Sequence, residues 1–188
     1  MRLYDFRWEP SILYQSPSDL KVAVIGTGHI GSIIAQILSE GYRCDVVAYD
    51  PFPNEVIKLY VTYKSILQEA ISDADIVTIH IPATKYNHHL FDDNVFKSFK
   101  SGVIFVNCAR GRLVDTKALL SAIDRVQIKG AALDTYEHEV GILATDQRGK
   151  NINDPYLDAL IERDDVIFTP HIAFYTEVAV RNLIYDGL

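Results

Sequence analysis

At 188 residues and 48% hydrophobic content, the chain is long enough for one domain with a substantial core. Its 18 basic and 25 acidic residues leave a net charge of −7, which argues against nucleic acid or an anionic membrane surface as the main partner. No apolar run approaches ~18 residues, so no segment reads as a membrane span. The charged stretch Met1 to Pro10 lacks a signal-peptide core, and a cytoplasmic location is expected.

Residues 1–20 read as an N-terminal arm. Tyr4, Phe6, Trp8 and Tyr14 make it aromatic, and Pro10 and Pro17 prevent one continuous helix. Two readings stay open: an arm folded on its own domain, or one that packs on a second subunit or a neighbouring domain. Residues 21–188 read as the domain itself. Val22 to Ile25 forms a strand that feeds Gly26, Gly28 and Gly31, a G-x-G-x-x-G turn. Ile30, Ile33, Ile34, Ile37 and Leu38 follow at helical spacing, and Gly41 ends the helix. Val46 to Tyr49 forms a second strand, closed by Asp50. A βαβ unit of this kind binds dinucleotides. Gly26 makes the tight turn, Gly28 lets a pyrophosphate approach the backbone, and Gly31 lets helix and sheet pack closely. The helix N-terminus offers N–H groups and partial positive charge to phosphate. Asp50 lies 19 positions after Gly31, with no Lys or Arg close behind it. Its carboxylate can accept both ribose hydroxyls and would repel a 2′-phosphate, so the expected cofactor is NAD and not NADP.

Leu59 to Tyr63 is a strand candidate and Ser65 to Ala70 a short helix. Tyr60-x-x-x-Lys64 has the spacing of the short-chain dehydrogenase pair, but the glycine spacing is not that family's. Both residues are therefore expected in strand and loop. Asp75 to Pro82 is an almost continuous apolar run, as a buried parallel strand requires. His88, His89 and Asp92 read as a solvated loop, because adjacent side chains on a regular element do not face each other. A helix is expected from Phe91 to Phe99, a strand from Val103 to Val106, and a helix from Ala118 to Ile123 capped by Asp115-Thr116. Ile128 to Leu133 is a strand ended by Asp134, and Tyr136 to Asn153 a polar loop. Pro155 to Ile161 is a helix, Val166 to Thr169 the last strand, ended by Pro170-His171, and Thr176 to Tyr185 a terminal helix. Cys44 and Cys108 lack metal spacing and read as buried reduced thiols. No metal is expected. The alternation predicts an α/β fold, a Rossmann-type doubly wound parallel sheet of six or seven strands. Ligands of such sheets bind at the carboxyl ends of the strands.

Those ends bring three residue types into play. A 2-oxo acid needs a cation for its carboxylate, and Arg110 offers a bidentate fork. Reduction of its carbonyl needs a hydride and a proton, and His171 is a donor suited to neutral pH. A carboxylate beside that histidine would orient the ring and stabilise its positive charge. Asp134, Glu137 and Glu139 compete for that role on chemistry alone.

The ordered motifs V-I-G-T-G-H-I-G, I-V-T-I-H-I-P, V-N-C-A-R-G-R-L-V-D-T, A-L-D-T-Y-E-H-E-V-G and T-P-H-I-A-F-Y-T span nearly the whole chain. Together they resemble the D-isomer-specific 2-hydroxyacid dehydrogenases, most of all the fermentative D-lactate dehydrogenase group. The resemblance implies an NAD-dependent oxidoreductase that interconverts pyruvate and D-lactate. It implies that Arg110 binds the substrate carboxylate and carbonyl, that Glu139 pairs with His171, and that His171 is the proton donor. It places Phe174, Tyr175 and the arm residue Trp8 near the substrate or the partner subunit of a homodimer. For the cofactor it implies His29 and Ile30 at the pyrophosphate, Asp50 at the ribose, and Ile81, Pro82, Asn87, Cys108, Ala109, Arg110 and Asp134 along the remaining wall. His138 stands where the family often has Gly. The family's N-terminal substrate domain is absent from this sequence, so the expectation is a cofactor domain that turns over substrate weakly or not at all alone. A second reading is a non-catalytic NAD(H)-sensing or dimerisation module.

Overall fold

The computed structural model describes residues 16–143, 145–149 and 152–185. Trp8 and most of the expected arm lie outside the described residues. Among those described, seven strands form one parallel sheet in the order β3-β2-β1-β4-β5-β6-β7. They are β1 (Lys21–Ile25), β2 (Asp45–Tyr49), β3 (Thr62–Tyr63), β4 (Ile76–Ile79), β5 (Val103–Asn107), β6 (Ile128–Leu133) and β7 (Val166–Phe168). Helices α1 (His29–Gln36), α2 (Leu67–Ile71), α3 (Asp93–Lys97), α4 (Thr116–Asp124), α5 (Pro155–Ile161) and α6 (Glu177–Tyr185) follow the strands. The strand order reverses between β1 and β4, which creates the crevice where such sheets take ligands.

Register matters more than strand count for the site. Ile25 pairs with Tyr49 and with Ile79, Ile79 with Asn107, Asn107 with Leu133, and Leu133 with Phe168. The last residues of six strands thus form one row. Whatever follows each strand emerges at the same edge of the sheet.

Local chemistry explains the element boundaries. Asp92, Asp115 and Asp154 each accept backbone N–H groups at the starts of α3, α4 and α5. Asp92 is therefore a helix cap, as its short polar side chain before an apolar turn suits. Pro155 occupies the first turn of α5, where a missing N–H costs nothing. Phe91, Phe96, Phe99 and Phe105 pack at ring-centroid distances of 5.5–6.5 Å on one face of the sheet. The other face holds a smaller cluster of Val22, Val24, Ala35, Cys44, Val46, Ala48, Ile57 and Val61.

Two expectations are corrected, the strand from Leu59 and the buried Cys108. Leu59 to Val61 is not strand, because a 3-10 turn capped by Asn54 runs from Glu55 to Leu59 and leaves β3 two residues. Tyr60 and Lys64 accordingly flank β3. Along α1 and the π-helical turn Ile37–Gly41 that follows it, Ile30, Ile33 and Ile37 are 64%, 49% and 48% exposed, Ile34 is half-buried, and Gly31 and Ala35 are buried against the sheet. Small residues let the helix lie close to β1, which turns the large ones outward. Cys108 is exposed, whereas Cys44 is buried, and among the described residues both are free thiols.

Candidate active site

The glycine turn is held from both sides. Gly26 has φ +93°, and a Cβ there would sit 2.6 Å from Ile81 Cγ2 and 2.8 Å from the His80 carbonyl carbon. A Cβ at Gly31 would overlap the Gly26 carbonyl. Protein packing therefore accounts for both glycines. Gly28 is different: a Cβ there would meet nothing within 4 Å. Its φ of −66° suits any residue, so nothing inside the protein asks for glycine there. The open space lies at the N-terminus of α1, where the first N–H groups have no intrahelical acceptor. A cradle that packing does not explain fits the close approach of a pyrophosphate.

The second strand end completes the cradle. Asp50 accepts the Thr27 N–H at 2.7 Å and the Phe52 N–H at 2.8 Å. The Tyr63 hydroxyl donates to Thr27 Oγ1 at 2.8 Å, and Thr27 Oγ1 in turn donates to Asp50 at 3.2 Å. The Asp50 carboxylate is thereby fixed at the mouth of the turn, with further lone pairs for ribose hydroxyls. Ile81 borders Gly26, and Asn87 donates to the Pro82 carbonyl at 2.8 Å, shaping the 82–87 turn. His80 bonds Thr78 Oγ1 at 2.9 Å, and burial holds its ring below the ordinary histidine range.

The ends of β5, β6 and β7 carry the other candidate side chains. Buried Asn107 bonds the Ala109 N–H at 3.0 Å and the Arg110 carbonyl at 3.1 Å, fixing the turn that presents Arg110. Arg110 is exposed. Gly111 lies so close to the Tyr136–Glu137 peptide that any Cβ would overlap it. This close approach seats the Arg110 turn against the loop after β6. In that loop Glu139 Oε2 accepts the Tyr136 N–H at 3.1 Å, and Oε1 lies 3.2 Å from His171 Nδ1. A carboxylate accepts only, so Nδ1 carries the proton and Nε2 is left for other partners. His171 sits at φ +58°, with Phe174 edge-on at 6.2 Å.

The three competing carboxylates separate by partner. Glu139 meets His171, while Asp134 accepts Thr169 Oγ1 at 2.5 Å and the Ile172 and Ala173 N–H groups at 2.9 Å each, pinning the segment that holds His171. Glu137 pairs with His89. The solvated loop expected at His89 is thus half-buried and bonded. Cys108, Asp134, Thr169, Ile172 and Ala173 line a hollow of about 170 Å³. Burial, together with nearby Asp134, pushes the Cys108 thiol upward. Asn107 is expected only as a strand end without a role, and Thr169 carried no site reading in the sequence. Their positions at or just past strand ends were the available signal.

Comparison with known proteins decides the family. Residues 2–173 match the model described as "D-isomer specific 2-hydroxyacid dehydrogenase, NAD binding domain". The chain belongs to the D-isomer specific 2-hydroxyacid dehydrogenase family. The matched part is that family's NAD-binding domain, and its cofactor is NAD. The chain is 42% identical over all its 188 residues to a D-lactate dehydrogenase of Staphylococcus aureus, and 43% identical over 184 residues, 98% of its length, to one of Streptococcus pyogenes. In both cases it spans 56% of the relative's length. Among solved structures, a D-lactate dehydrogenase from Treponema pallidum superimposes with a TM-score of 0.90 at 40% identity, covering 97% of this chain and 54% of that one. The NAD-complexed D-isomer specific 2-hydroxyacid dehydrogenase of Lactobacillus delbrueckii ssp. bulgaricus gives 0.88 at 34% identity, over 97% and 54%. Among the described residues no helix is long and apolar enough to cross a membrane, and no cluster of His, Cys, Asp and Glu could hold a metal.

Proposed function

We propose that this chain is the cofactor-binding and proton-handling part of an NAD-dependent D-2-hydroxyacid dehydrogenase that acts on a small 2-oxo acid such as pyruvate. The observation that carries the reading is the His171–Glu139 pair at 3.2 Å, at the edge that also presents Arg110 and the glycine cradle. Gly26, Gly28, His29, Ile30 and Gly31 would hold the pyrophosphate and Asp50 the ribose. Ile81, Pro82, Asn87, Cys108, Ala109 and Asp134 would border the rest. Bound NADH supplies the hydride. Arg110 grips the substrate carboxylate and polarises its carbonyl through charge-assisted hydrogen bonds. Glu139 fixes the proton on Nδ1 of His171, and Nε2 delivers a proton to the carbonyl oxygen as it becomes an alkoxide. In the reverse direction Nε2 removes the hydroxyl proton. Phe174 and Tyr175, both exposed, flank the substrate side of that imidazole.

Pairing with a second copy of the chain is supported by the exposed Ile30, Ile33 and Ile37 stripe. A cytoplasmic site is supported by the two free thiols. Calorimetry with NADH tests the core of the reading: saturable binding is expected, and its absence overturns it. Mixing the chain with NADH and pyruvate should give slow turnover or none, because an exposed Arg110 and a half-buried His171 cannot exclude water from the reacting centre. Rapid turnover would contradict that part. The alternative, an NAD(H)-sensing module without chemistry, predicts NADH-dependent association and no effect of His171→Gln on any residual turnover.

A further inference from the structure

The loop after β6 holds a second carboxylate–imidazole pair that the proposed chemistry leaves unused. Glu137 stands two residues before Glu139, and its side chain is 7% exposed. Oε2 lies 2.6 Å from Nε2 of His89, and Oε1 accepts the Thr116 N–H at the start of α4 at 3.2 Å. Asp115 approaches Nδ1 of His89 at 4.0 Å, and His138 lies 3.6 Å from Glu137. A carboxylate this buried persists only where donors hold it. The backbone is equally constrained. His89 has φ +51°, a left-handed conformation that lasts where the surroundings fix it. Its N–H bonds the Arg112 carbonyl at 3.0 Å. Gly111 packs on the Tyr136–Glu137 peptide.

Three pieces meet at Glu137. They are the 81–91 segment beside the cofactor cradle, the turn after Arg110, and the loop that ends in Glu139. We propose that Glu137 and His89 are positioning residues, a latch that sets Glu139 against His171 and ties that pair to the cofactor-side wall. This rests on reading His171 and Glu139 as the proton-handling pair. Neither latch residue touches the reacting atoms. Losing the latch frees the 136–139 backbone to shift, and Glu139 then loses Nδ1 of His171.

The test is long-range ¹H–¹⁵N NMR of the histidine ring nitrogens in the full 188-residue chain at pH 8, with His171 assigned through His171→Gln. The parent chain should show the His171 proton on Nδ1. His89→Ala and Glu137→Ala should lose that signature, and His89→Gln, whose amide can still donate to Glu137, should keep it. An unchanged Nδ1–H in His89→Ala that still folds by circular dichroism overturns the latch, as does its absence from the parent chain. Should Glu137→Ala fail to fold, His89→Ala decides alone, because that side chain is 35% exposed and less costly to remove. Calorimetry with NADH on the same samples separates the two readings. A parent chain that keeps the Nδ1 signature but binds no NADH fails as a dehydrogenase domain while the latch stands.

Discussion

The two halves of the sheet build their parts of the site by different means. At the ends of β1 and β2 the work is done by backbone: Gly26 and Gly31 interlock, and Asp50 is clamped by two N–H groups. At the ends of β5, β6 and β7 it is done by side chains: Asn107 braces the Arg110 turn, and Glu139 to His171 and Asp134 to Ala173 cross between loops. The first kind of site is shaped mainly by backbone, with Tyr63 and Ile81 bracing it from outside the turn. The second depends on several loops agreeing, and its Arg110, Phe174 and Tyr175 remain exposed. Binding strength should follow the first half and chemistry the second.

The largest break in that comparison should come from Gly31→Val. Its side chain has to displace the Gly26 carbonyl, so a loss of about 3 kcal/mol in urea unfolding is expected, with NADH binding abolished. A variant of near-parental stability that still binds NADH would show that the interlock is not what holds the turn. Next comes Arg110→Gln, which should leave unfolding unchanged. Oxamate binding to the NADH-loaded chain should weaken by about 2 kcal/mol, the worth of a hydrogen bond to a charged group. Gly28→Ala sharpens the contrast within the cradle. Stability should stay within about 0.5 kcal/mol, whereas NADH affinity should fall about tenfold, or about 1.4 kcal/mol. The smallest effect belongs where the halves join. Asp75, at the start of β4, accepts Lys100 Nζ at 2.5 Å and the Lys21 N–H at 2.9 Å. Burial pushes its carboxyl up, but those donors outweigh burial and hold it below the usual range. A lowered value stabilises the fold above the ordinary carboxylate range and stops doing so as pH falls through it. Asp75→Asn should therefore cost about 1 kcal/mol near pH 7, and the gap from the parent should close below about pH 4.

The sequence reveals most of this architecture where element and signal coincide. Strand Ile128–Leu133 and helix Pro155–Ile161 have the expected bounds, since an apolar run and a capped proline leave little choice. The 3-10 turn at Glu55–Leu59 is hidden because a short apolar stretch suits strand and turn equally. The outward isoleucines of α1 are hidden because periodicity marks an apolar face without saying what covers it. In the site, strand ends point to Asp50, Arg110 and His171. Chemistry alone leaves Asp134, Glu137 and Glu139 open and the family motif assigns Glu139 to His171, but the partners of the other two need coordinates, because that of Glu137 is 48 residues away at His89. No spacing rule connects a loop residue to such a partner.

The two core clusters also differ in when they can form. The smaller one draws all its buried members from Val22 to Val61, a short contiguous stretch. The larger one starts at Ala23 and is incomplete until Leu160. Contacts between near neighbours in sequence form with little loop-closure cost, and distant ones wait. On a ribosome, where the chain emerges from its N-terminal side, one face of the βαβ unit has all its residues while β5 to β7 are still unmade. The glycine turn therefore has one of its two packing faces supplied before β5 to β7 are available to dock on it.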